Sequence, residues 1–124
     1  MCKKRRMMGL DRLPFWLRLA LYAAASGVLL YLCLAPAHDL PSVKLWDKAE
    51  HAVSWAVLTG AGLVLFPRWR LAVALYAAVL GGLVEILQGL PAINRDSDWK
   101  DWVADLIGVT AAWLVVAALR RVRR

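Results

Sequence analysis

The chain has 124 residues, enough for one domain, and 61% of them are hydrophobic, against roughly 45–50% in soluble domains. That composition argues against a soluble fold and for a membrane protein. The formal charge of +7 invites a nucleic-acid reading, but the basic residues gather at the tips of apolar runs. Membrane orientation accounts for them, so the lipid bilayer is the expected partner and nucleic acid is not.

Lys3, Lys4, Arg5 and Arg6 precede a first apolar run, from about Leu13 to Leu34. Ala35-Pro36-Ala37 follows it like a signal-peptide cleavage site. The run, however, exceeds the roughly 7–15 residues of a signal core and approaches the ~20 needed to span a bilayer. A retained helix ended by Pro36 and Pro41 is predicted, with Arg18 one turn inside and able to snorkel back to the basic end. Cys2 and Cys33 then fall on opposite sides of the membrane, too far apart for a disulfide. Neither has a spacing that suggests a metal or redox site.

The second run extends from about Asp47 to Phe66 and is stopped by Pro67; the third runs from about Leu71 to Leu90, before Pro91. The fourth spans about Asp101 to Leu119 and ends in Arg120, Arg121, Arg123 and Arg124. Each run is apolar all round, which argues for helices and against alternating strands. The expected fold is an all-α membrane protein, one domain over residues 1–124 with four transmembrane helices in a compact bundle. Ala23 with Gly27, Gly60 with Gly62, and Ala77/Ala78 with Gly81/Gly82 are the expected close helix contacts, because small residues let backbones approach in lipid.

Charge sets the expected orientation. Twelve of the sixteen Lys and Arg lie before or early in the first run, between the second and third, or after the fourth. Eight of the nine acidic residues lie at or near the opposite side, Asp11 being the exception. By the positive-inside rule both termini are cytoplasmic and the acidic loops face outward. Trp16 and Trp69 would then sit at the inner interface, and Trp46, Trp99 and Trp102 at the outer one.

The acidic side carries a polar constellation. Asp47 and His51 are one helical turn apart, as are Asp101 and Asp105; Glu85 and Gln88 share a turn of the third helix. Arg95 and Asp98 lie in the connecting turn. A charge at membrane depth costs about 2.5–3.5 kcal/mol on insertion scales, so three helices converging on one level suggest use. Asp47, His51 and Glu85 are the acid–base candidates. Gln88, Arg95, Asp98, Asp101 and Asp105 are the candidates for binding, with Arg95 suited to an anionic group. Oxygens of this set could hold Mg²⁺ or Ca²⁺, but the spacing demands neither a metal nor another cofactor. The structural alternatives are ordinary: Asp47 as a helix cap, Asp98 and Asp101 as favourable charges at a helix start, His51 and Glu85 as a hydrogen-bonded clamp.

Three motifs resemble the VanZ-like family of small bacterial membrane proteins: Asp47-Lys48-x-x-His51; Glu85-x-x-Gln88 after Gly81/Gly82; and Arg95-x-x-Asp98-x-x-Asp101 followed by Asp105 and Gly108. They cover about Trp46 to Gly108. Trp55 stands where the family usually has tyrosine, Asp105 where it usually has asparagine, and Ala112 where a second glycine is typical. The resemblance implies a bacterial cytoplasmic (inner) membrane protein linked, in one member, to glycopeptide (teicoplanin) resistance. The expected function is an outward-facing polar site that binds or acts on an anionic cell-envelope precursor, such as a lipid-linked one. The alternative is a non-catalytic scaffold for a membrane protein partner, with the polar cluster as a helix clamp. These residue types permit both catalysis and plain binding.

Overall fold

A computed structural model describes residues 10–34, 47–90 and 99–122. All four predicted helices are present: α1 (Phe15–Leu34), α2 (Asp47–Leu65), α3 (Arg70–Gln88) and α4 (Trp99–Val122), with a short 3-10 turn, Leu10–Arg12, ahead of α1. No strand occurs among the described residues. The helix limits fall within about three residues of those expected, α4 running on through Arg120 and Arg121. Three helices, α1, α3 and α4, are long and apolar enough to cross a membrane. In α2 the apolar stretch is shorter, Ala49–Leu65.

The shorter apolar stretch of α2 fits its place in the bundle. It packs against all three other helices, and its contact with α4 is the most extensive among the described residues. Trp55, Leu58, Thr59, Leu63 and Leu65 are buried there. By contrast, just 11% of the α1 span is buried, so α1 lies at the margin and offers most of its surface to lipid. Leu21, Val28, Val79, Ile86, Ile107 and Leu114 on the outer helices are likewise exposed. In lipid such exposure carries no hydrophobic penalty.

Close approach of α2 and α4 depends on a stripe of small residues. Ala104, Gly108 and Ala112 recur every four residues along α4 and are all buried. A methyl group on Gly108 would collide with the Ala52 carbonyl, so backbone meets backbone at this point. Of the other expected contacts, Gly62 forms one, since a Cβ there would stand 2.6 Å from Val73 Cγ1 and 2.8 Å from the Tyr22 ring, whereas a Cβ at Gly27 or Gly60 would meet nothing within 4 Å. Small residues on a lipid-facing surface look the same in sequence as those in a contact.

The end of α2 explains two of the arginines. Pro67 has no N–H to offer the Leu63 carbonyl, and Arg120 Nη2 donates to that oxygen at 3.1 Å. Arg18 Nη1 donates to the Leu65 carbonyl at 2.8 Å. A helix end in lipid must satisfy its carbonyls, and cations suit the negative end of the helix dipole. Arg18 therefore reaches toward the basic end of the bundle, lying 5.6 Å from the ring centroids of both Phe15 and Phe66. Arg70 lies 4.7 Å over the Trp113 ring at the same end.

Candidate functional site

At the opposite end of the bundle, the start of α2, the last turns of α3 and the start of α4 come together. Residues 101, 104, 105, 108 and 112 form one buried face of α4, following the helical period. The Gly108 contact holds that face against α2, and this brings His51 onto the two aspartates. His51 Nδ1 lies 2.9 Å from Asp105 Oδ1, and Nε2 lies 4.0 Å from Asp101 Oδ2. The imidazole stacks on Trp55 at 5.9 Å between centroids and 20° between planes. The hydrogen bond to Asp105 and the stack on Trp55 thus fix the ring, with the Asp101 carboxylate facing its other nitrogen.

Glu85 joins from α3. It is buried, at 6% exposure, and Asp105 is wholly enclosed at 0%. One donor atom each from His51, Glu85 and Asp105 lies within 4.8 Å of the others. Two ionised carboxylates at that spacing repel by roughly 3 kcal/mol at an effective dielectric of about 20. A proton or a cation among these groups relieves that repulsion. Asp105 Oδ2 makes no hydrogen bond among the described residues.

Gly81 and Gly82 have a specific role beside this cluster. Trp55 Nε1 donates to the Ala77 carbonyl at 2.8 Å, and Trp102 Nε1 to the Ala78 carbonyl at 3.0 Å. Those oxygens lie one helical turn before Gly81 and Gly82. A Cβ on Gly81 would stand 3.1 Å from Trp55 Nε1 and 2.9 Å from Asp105 Oδ2, and one on Gly82 would stand 3.4 Å from Trp102 Nε1. The glycine pair opens α3 so that one indole from α2 and one from α4 reach its backbone. Neither indole was expected in this role. Trp55 appeared in the sequence as a family departure, and Trp102 as an interfacial residue. The signal was present in the adjacent glycines, read there as general helix packing.

Of the expected site residues, His51, Glu85, Asp101 and Asp105 come together. Gln88 is directed elsewhere: its Nε2 donates to the Cys33 carbonyl at 2.9 Å and ties α3 to the end of α1. Asp47 opens α2 one turn before His51. Arg95 and Asp98 lie outside the described residues.

The assembled groups can bind a polar ligand by hydrogen bonds. They can also pass a proton, since a carboxylate that orients a histidine ring fixes which nitrogen carries the hydrogen. One nitrogen with two carboxylates can also ligate a metal ion. Comparison with protein-family models, curated proteins and solved structures finds no match for this chain.

Proposed function

We propose that this chain is a VanZ-like protein of the bacterial cytoplasmic membrane, whose buried polar site engages an anionic envelope molecule. A lipid-linked cell-wall precursor suits that description, and glycopeptide response is the expected phenotype. The observation that carries this reading is the convergence of His51, Glu85, Asp101 and Asp105 from three helices at one end of the bundle. Four carboxylate and imidazole groups inside an apolar chain are costly to insert, and ligand engagement gives that cost a purpose. His51 and Asp105 serve as the acid–base or hydrogen-bonding pair, with Asp101 steadying the second imidazole nitrogen.

Charge supports the orientation we assign: the α2–α3 connection and the ends of the chain on the cytoplasmic side, the polar site toward the outside. In this reading α2 is the fourth span. Its 19 residues rise about 28 Å, close to the ~30 Å hydrocarbon core. Arg95 is assigned to the anionic group by its residue type.

The second reading, a scaffold whose polar groups clamp helices for a partner protein, draws support from the Gln88 bond to Cys33. The two separate on substitution. Cells carrying His51→Ala, Glu85→Gln or Asp105→Asn at unchanged membrane level lose the envelope phenotype if the site engages a ligand. Loss of membrane level and thermal stability together, with phenotype retained in whatever folded protein remains, supports the clamp.

A further inference from the structure

We propose, building on the reading of this cluster as a ligand site, that His51, Asp105 and Glu85 bind a divalent first-row transition-metal ion of the Zn²⁺ kind. Each ligand comes from a different helix, and their donor atoms already lie within 4.8 Å of one another. Asp105 Oδ2 is the independent sign that something is to be held there. It belongs to a side chain with 0% exposure, makes no hydrogen bond among the described residues, and points toward the face of α3 that carries Gly81, one turn before Glu85. A buried carboxylate oxygen without a donor costs free energy, and a cation satisfies it directly.

The donor set narrows the ion. Ca²⁺ seeks six to eight oxygens, and Mg²⁺ keeps most of its water. An imidazole with two carboxylates suits Zn²⁺ and its neighbours instead. Ligands sharing a tetrahedral Zn²⁺ lie about 3.4 Å apart, given bonds of ~2.0–2.1 Å. The 2.9 Å separation of His51 Nδ1 and Asp105 Oδ1 therefore has to open by about half an ångström, and donor atoms as far apart as 4.8 Å have to close by up to about 1.4 Å, movements that side-chain rotation supplies.

The surroundings match those of a metal-bound histidine. Such a histidine commonly gives its second ring nitrogen to a carboxylate that fixes the tautomer; Asp101 Oδ2 faces Nε2 at 4.0 Å, longer than a hydrogen bond, and takes that role once the side chain closes in. Stacking on Trp55 holds the ring plane. Three protein ligands leave a coordination position for water or for an anionic oxygen. A headgroup phosphate or carboxylate is the matching ligand chemistry.

The test uses the full chain in detergent, stripped with a chelator and titrated with Zn²⁺ by calorimetry, with bound metal counted by elemental analysis. One Zn²⁺ per chain is expected. Asp105→Asn, His51→Ala and Glu85→Gln each abolish it, and Asp101→Asn weakens it about 10–100-fold as an outer partner does. Gly60→Ala, in open space, leaves it intact. Circular dichroism confirms that each variant is helical. X-ray absorption of the unaltered protein keeps the test decisive if a variant unfolds: a nitrogen/oxygen shell with an imidazole signature is expected. Absence of stoichiometric Zn²⁺ in the folded protein, equal affinity after Asp105→Asn, or a shell without imidazole overturns the metal site. If Zn²⁺ is not bound while His51→Ala still abolishes the envelope phenotype, the metal inference alone fails. If Zn²⁺ is bound while His51→Ala leaves the phenotype unchanged, the metal site stands and the proposed function fails.

Discussion

His51 on α2 and Asp105 on α4 meet at 2.9 Å because Gly108, one turn further along α4, lets the two backbones touch at Ala52. The polar pair and the apolar contact are consequences of the same helix approach. Chemistry at this end of the bundle is therefore coupled to packing one helical turn away.

Gly108→Val is accordingly expected to separate α2 from α4 and break the His51–Asp105 bond. Overpacking costs about 1–3 kcal/mol in ordinary cores, and a clash with backbone is at the upper end because backbone cannot rotate away. Gly27→Ala and Gly60→Ala meet open space and should be neutral or stabilising by up to about 1 kcal/mol through helix propensity. Thermal unfolding in detergent, followed by circular dichroism, ranks the three.

Four helices and most of the polar cluster were legible in the sequence, and for a physical reason. Span length and helical spacing are properties of one helix at a time. Asp47/His51 and Asp101/Asp105 announce a shared face through one-turn spacing, and Pro67 announces the end of α2. Which helix each face meets is a property of pairs. Gln88 shares a turn with Glu85, yet it donates to Cys33 of α1. The use of Arg18 and Arg120 as donors to α2 carbonyls likewise follows from tertiary placement. The Gly81/Gly82 pair was visible; the two indoles it admits were not.

Those indoles give a graded prediction. Trp55→Phe and Trp102→Phe each remove an N–H donor while keeping an aromatic ring, at an expected cost of about 0.5–1.5 kcal/mol. Trp55 should cost more, since it is fully buried and Trp102 is 40% exposed. It also supports the His51 ring. Chemical unfolding in mixed detergent micelles measures both. Equal and negligible losses would mean that neither bond contributes.

Gln88→Ala should loosen the end of α1 while leaving the contact of α2 with α4 in place. The expected loss is about 1 kcal/mol, that of one hydrogen bond. Faster proteolysis at the α1 end, with His51 and Asp105 still coupled, is the expected pattern. Coupling is measured as the interaction energy in a His51→Ala/Asp105→Asn double-mutant cycle, repeated in the Gln88→Ala background.

Arg120→Gln removes the guanidinium donor to Leu63, the carbonyl that Pro67 leaves without its helical partner. A loss of about 1 kcal/mol is expected, within the range for a partly exposed cation at a helix end. A Pro67→Ala change in the same chain should recover part of it, because residue 67 regains an N–H. Thermal unfolding of the single and double variants checks the compensation, and additive losses would refute it.

The central claim is that the buried His51, Glu85 and Asp105 cluster acts on something rather than merely locking helices. The most direct measurement is the teicoplanin response of cells carrying His51→Ala, Glu85→Gln or Asp105→Asn, set against the unaltered protein and Gly60→Ala at matched membrane levels. All three cluster variants are expected to match cells lacking the protein, whereas Gly60→Ala matches the unaltered chain. An unchanged response in all three cluster variants, each present and helical in the membrane, would contradict it.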